Sequence, residues 1–265
     1  MNYELKKDAV QTDGFTMDYC RFGHGPQTMV IIPGVSVEPV VPLGGFVAKQ
    51  YERFHEDFTC YLIDRRRDFP ADYSIGQMAD DTAAAMRALG LRGACLFGTS
   101  QGGMVGITLA AKYPELVAKL ALGSSSAYAD AFGRGVLQQW ISALEQGNLP
   151  AAVNLFFEKV YSEDFRQKNA KALAMAAKIA PPEALSRLKT LCRACLEFDG
   201  REYARQLSCP CFVLGTTADE VFGPTSQTDL AALLGCPSKI YDAYSHALYD
   251  ETPDALAALH AFFTA

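Results

Sequence analysis

Gly98-Thr99-Ser100-Gln101-Gly102 sets a serine between two glycines at Gly-x-Ser-x-Gly spacing. The short apolar run from Ala94 reads as a buried strand. Met104 to Ala111 reads as a helix packed closely on a sheet. Strand, tight turn and helix in that order hold a serine in a strained conformation and lift its hydroxyl clear of the sheet. The flanking glycines leave room for the turn, and the helix N-terminus favours negative charge developing beside Ser100. The chemistry this suits is nucleophilic attack, for which a hydroxyl at neutral pH needs a neighbouring base.

Four histidines are available. His24 sits in a turn, Gly23-His24-Gly25-Pro26; His55 ends a helical stretch; His260 lies inside the last helix. His246 instead follows the last strand, in the loop Ala243-Tyr244-Ser245-His246. Reacting groups gather at the C-terminal edge of a parallel sheet, so His246 is the candidate base. A carboxylate must fix its tautomer. Asp219 directly follows the strand Cys211 to Leu214 and is the candidate, with Glu220 as its rival. An oxyanion needs backbone N–H donors. Gln101 supplies one. Val35 supplies the other, from the loop Pro33-Gly34-Val35-Ser36, where Gly34 permits the inward turn. Gly34 and Ser36 are expected to border the substrate. This chemistry calls for no metal and no organic cofactor.

The elements that must carry these groups alternate. Asp8 to Thr12 and Phe15 to Phe22 flank Asp13-Gly14, a hairpin signal. Strands are expected at Thr28–Ile32, Phe58–Ile63, the run before Ser100, Leu116–Leu122, Cys211–Leu214 and Lys239–Tyr241. Helices are expected at Phe46–His55, from Ser74 to Leu89 behind a Ser74/Gln77 capping box, after Ser100, and at Asp254–Phe263. The fold class is therefore α/β: a mainly parallel eight-stranded sheet flanked by helices. Residues 127–207 break the rhythm with four helices and no strand: Gly135–Gln146, Ala151–Tyr161, Asp164–Ile179 and Pro182–Phe198. They read as an inserted helical cap between core segments 1–126 and 208–265. Its aromatics Phe132, Trp140, Phe156, Phe157 and Tyr161 are candidates to line an apolar pocket over Ser100.

Composition narrows the field. The chain has 265 residues, 49% of them hydrophobic, and a net charge of −6. That balance argues against a general nucleic-acid or anionic-membrane binder. Met1 to Val10 is polar and mixed in charge, unlike a secretory signal, and prolines break up the apolar stretch Met29–Val47. Eight cysteines in such a chain suggest reduced thiols and a cytoplasmic protein. Cys192-x-x-Cys195 and Cys209-Pro210-Cys211 have no nearby histidine, so packed thiols are expected rather than a metal. Arg65-Arg66-Arg67 could fork onto an anionic substrate or brace a loop. Nothing in the sequence selects an oligomeric state.

Taken together, Gly98…Gly102, the Gly215…Asp219 loop and Ser245-His246 give the chain a resemblance to the α/β-hydrolase superfamily, from first hairpin to last helix. The helical insertion is similar to the cap of its esterases, lactonases, carbon–carbon hydrolases and cofactor-free haloperoxidases. The chain departs from the family at two loops. Pro33-Gly34 stands where His-Gly is usual, and Asp64-Arg65-Arg66-Arg67-Asp68-Phe69-Pro70 lacks the usual glycines. The resemblance implies a serine hydrolase that cleaves a small or medium ester, thioester or lactone through an acyl-enzyme on Ser100. Carbon–carbon hydrolysis or a perhydrolase reaction on the same residues is the nearest alternative. A non-catalytic ligand-binding member of the fold is the other.

Overall fold

The computed structural model describes residues 5–265. One sheet of eight strands runs through the molecule in the order β1-β2-β4-β3-β5-β6-β7-β8. The hairpin comes first: β1 (Lys6–Gln11) pairs antiparallel with β2 (Thr16–Phe22), Lys6 opposite Arg21 and Gln11 opposite Thr16. Asp13-Gly14 forms the turn, with Gly14 at φ 97°. β3 (Gln27–Ile32) enters the middle of the sheet, and α1 (Gly44–Gln50) leads to β4 (Phe58–Arg66). β4 pairs antiparallel with β2 and parallel with β3. α2 (Ile75–Ala88) opens on the expected capping box of Ser74 and Gln77. β5 (Ala94–Thr99), α3 (Gln101–Lys112) and β6 (Val117–Gly123) follow, with β5 parallel to both β3 and β6.

Between β6 and β7 the chain is helical: α4 (Ala131–Glu145), α5 (Leu149–Val160), α6 (Glu163–Lys168), α7 (Ala170–Ile179), α8 (Glu183–Glu197) and α9 (Arg201–Arg205). β7 (Cys211–Thr216), α10 (Ser226–Leu234), β8 (Ser238–Tyr241), α11 (Leu248–Glu251) and α12 (Pro253–Thr264) complete the chain. Every residue of β5 and β7 is buried, as strands covered by helices on both faces must be. One apolar cluster joins α2, α3, α4 and one face of the sheet; a second lies on the other face under α12. A third, smaller cluster of Leu144, Leu149, Val153, Ala177 and Leu188 lies within the helical segment.

Three expectations need correction. The helix expected over 164–179 breaks at Asn169, whose side chain takes the Phe165 carbonyl at 2.9 Å and competes with the helical ladder. β4 does not end at Asp64 but runs to Arg66, because Met17 of β2 still pairs there. α10 was not anticipated, since its first turn is polar; Gly235 at φ 60° ends it. Among the described residues, no helix is long and apolar enough to cross a membrane.

Candidate active site

Ser100 joins β5 to α3 at φ 51° and ψ −120°. An L-residue costs about 1–3 kcal/mol in such a conformation and keeps it only where neighbours over-determine it. Here its N–H donates to Gly123 O at 2.8 Å, and Ser125 Oγ–H donates to its carbonyl at 2.8 Å. The two flanking glycines are sterically required. A Cβ on Gly98 would lie 2.3 Å from Gly102 O, and one on Gly102 would lie 2.0 Å from Ile32 O.

Asp219 and His246 come from the ends of β7 and β8, on the same sheet edge. The His246 Nδ1–Asp219 Oδ2 distance is 2.9 Å, and the two residues are 3% and 2% exposed. Asp219 is shaped as an acceptor. Oδ1 takes the N–H groups of Val221 at 2.7 Å and Phe222 at 2.9 Å, while Oδ2 also takes Gln227 Nε2 at 2.8 Å. Gln227 sits on the unanticipated α10, so no sequence signal pointed to it. With Nδ1 committed to Asp219, the other imidazole nitrogen is the one left to serve as a base. The Phe222 ring packs on the imidazole at 5.5 Å. The rival Glu220 faces solvent and pairs with Lys159 at 2.9 Å. His24 pairs with Glu56 and His260 with Asp57, both away from the cavity.

Ser100 and His246 line one cavity of about 270 Å³. Among the described residues, Ser100 Oγ makes no hydrogen bond, to His246 or to any other group. Gly34, Val35 and Ser36 form part of the wall, and a Cβ on Gly34 would lie 3.0 Å from Ser100 Cβ. Neither the Val35 N–H nor the Gln101 N–H reaches an acceptor among the described residues. Trp140, Phe156 and Tyr161 also line the cavity. The indole N–H of Trp140 is buried without a partner. Leu43 and Phe46, 61% and 69% exposed, mark the rim.

Phe157 and Phe132 do not line it. Successive residues on a helix point about 100° apart, so Phe156 faces the cavity while Phe157 turns into the small helical cluster. Phe132 lies against Gly223, half exposed.

The arginine run does not reach the cavity either; it braces the loops around it. Arg65 is buried, and its Nη2 donates to Pro33 O at 2.9 Å and Gln101 Oε1 at 3.1 Å. Gln101 Nε2 in turn donates to Leu191 O of α8 at 2.7 Å. Arg66 lies 4.7 Å over the Phe15 ring, and Arg67 forks onto Asp18. Asp64 Oδ2 caps the loop at Val40 N, and Arg187 of α8 reaches Asp64 Oδ1 at 3.3 Å. Burial pushes the Cys195 thiol, on the cavity wall, up to about 12, so it is an inert thiol. No cluster of His, Cys, Asp and Glu suited to a metal occurs among the described residues.

Similarity to known proteins agrees with this architecture. The enol-lactonase of Burkholderia xenovorans LB400 superposes with a TM-score of 0.81 at 19% identity, over 97% of this chain and 100% of that one. An esterase from Exiguobacterium antarcticum gives 0.83 at 16% identity, over 98% and 100%. In sequence, a putative carbamate hydrolase RutD of Rhizobium rhizogenes is 26% identical over 80% of this chain and 84% of its own. The human serine hydrolase BPHL is 28% identical over 45% of this chain, and that match spans only 43% of its length. Residues 29–259 match the alpha/beta hydrolase family, the stretch that runs from β3 past His246, and the chain belongs to that family.

Proposed function

We propose that the protein is a serine hydrolase that cleaves a small or medium ester, thioester or lactone through an acyl-enzyme on Ser100. His246 takes the Ser100 proton as Oγ attacks the carbonyl carbon. The resulting oxyanion faces the N–H groups of Val35 and Gln101, two donors without an acceptor among the described residues. His246 passes the proton to the leaving oxygen or sulfur. It then activates a water that releases the acid and restores Ser100. Asp219 holds the imidazole and stabilises its cation. The helical segment acts as a cap: Trp140 of α4 and Phe156 of α5 border the space over Ser100.

The observation that carries this reading is the buried 2.9 Å contact between Asp219 and His246 on a cavity that also holds the strained Ser100. A cavity of about 270 Å³ suits a small acyl group better than a long lipid chain. The names of the relatives, esterase, enol-lactonase and carbamate hydrolase, all describe attack at an acyl carbon.

A fluorophosphonate probe tests it. The parent protein should label on Ser100, and Ser100→Ala should neither label nor hydrolyse. A folded parent that never labels would leave a ligand-binding protein in its place. A panel of p-nitrophenyl esters, lactones and carbamates then ranks the acyl groups.

A further inference from the structure

Asp250 stands on the wall of the cavity that Ser100 and His246 share. It lies on α11, four residues after His246. Its Oδ1 accepts Gln50 Nε2–H at 2.9 Å, and its Oδ2 accepts the Tyr161 O–H at 3.3 Å. These donors arrive from the end of α1 and the residue after α5. Gln50 is itself fixed, donating also to Tyr249 O at 2.9 Å.

The end of α5 is latched to α11 at two further points. Ala247 N donates to Val160 O at 2.9 Å, and Ser162 gives both its N–H and O–H to Glu251, at 2.9 and 2.5 Å. The Asp250 carboxyl is therefore held in one place by two donors from distant parts of the chain, on a helix itself tied to the end of α5.

Its neighbours are neutral donors and one more acid, Glu251; among the described residues no cationic side chain acts on it. Burial is the main influence and pushes its pKa up, with Glu251 pushing the same way. A desolvated carboxylate is costly unless a cation meets it. The cavity wall also carries the apolar side chains of Leu137, Phe156 and Val160 and the ring of Trp140. A fixed acceptor without a cationic partner, on the wall of a largely apolar chamber beside a nucleophile, is built for a ligand that brings its own positive charge.

We propose that the substrate carries a protonated amine and that Asp250, steadied by Gln50 and Tyr161, receives it. The cleavage of that substrate rests on the serine hydrolase reading; the amine site itself does not. The cavity volume requires the amine and the scissile carbonyl to belong to one small molecule.

The test begins with Ser100→Ala protein, which holds ligands without turning them over. Hexylamine, 1-hexanol and hexanoate are titrated by calorimetry near pH 7. A charge-assisted contact predicts that hexylamine binds about 10- to 100-fold more tightly than 1-hexanol. Adding Asp250→Asn should bring the two within about threefold. Equal binding of amine and alcohol, or tighter binding of hexanoate, overturns the proposal, and neither comparison needs the second substitution to fold. The parent enzyme should also favour p-nitrophenyl 6-aminohexanoate over p-nitrophenyl hexanoate in kcat/KM. An amine preference in binding, with no turnover and no fluorophosphonate labelling, would sink the hydrolase reading and leave the Asp250 site standing. Equal turnover of both esters would do the reverse.

Discussion

The turn at Ser100 and the acceptor set at Asp219 are the two places where single atoms decide the outcome. Asp219 takes four N–H donors, from Val221, Phe222, Gln227 and His246. Asn at this position would turn half of that acceptor surface into donors and favour the wrong imidazole tautomer. Asp219→Asn should therefore lower kcat by about 10³- to 10⁴-fold with circular dichroism unchanged. Glu220→Gln should stay within about threefold, because its partner is Lys159 at the surface. A steeper loss for Glu220→Gln in the same ester assay would move the acid role next door. Backbone packing is stricter still. A Cβ at Gly102 would sit 2.0 Å from a carbonyl oxygen, so Gly102→Ala should fail to give soluble, cooperatively melting protein.

The loop after β3 depends on β4. Arg65, on β4, offers its guanidinium to the Pro33 carbonyl and to Gln101, and so ties the Val35 donor to the start of α3. It does this at a loop that lacks the His-Gly usual in the family. Arg65 is a positioning residue: it touches the groups beside the proposed oxyanion site and does not line the cavity. Arg65→Met leaves a buried carbonyl and a buried amide oxygen without their donor, a loss of about 1–3 kcal/mol. The melting temperature should fall by several degrees, roughly 2–4 °C per kcal/mol. If the brace also aims Val35, kcat should fall about tenfold or more while KM barely moves, since an oxyanion donor acts only in the transition state. A lower melting temperature with parental kcat would reduce Arg65 to a structural prop.

Across the molecule, the cavity is assembled at some expense to stability. Asp250 is half-buried against Gln50 of α1 and Tyr161 just after α5, and burial raises its pKa. The folded protein therefore holds this proton more tightly than the unfolded chain does. The stability this provides is fully present below the unfolded value, about 3.9, and is lost as pH rises through the folded one. Asn carries no such penalty. The melting temperature of Asp250→Asn relative to the parent should climb as pH rises above the unfolded value and level off once the folded carboxyl has ionised. A flat difference would mean the carboxyl is already compensated in the empty cavity. The same experiment with saturating hexylamine should narrow the gap by stabilising the parent.

That Ser100, His246 and Asp219 would gather at one sheet edge was legible in the sequence because each position depends on something short-ranged. The glycines around Ser100 specify a turn that few other sequences allow, and a loop directly after a parallel strand has only one edge of the sheet to occupy. Arg65 and Asp250 were not legible. The sequence offered the three arginines as anion ligands or loop braces without choosing between them; the pairing of Met17 with Arg66 extends the strand and carries Arg65 inward as a brace. Asp250 belongs to no motif, and only the contact with Gln50, 200 positions earlier, marks it. Phe156 and Phe157 could not be told apart by type; only the packing of α5 among the other helices of the segment chose between them. The chain alone determined the backbone geometry of the chemistry, since neighbouring residues dictate turns and strand ends. Which charges are buried, and what they face, was decided by tertiary contacts, because the groups that satisfy a desolvated charge come from anywhere in the chain.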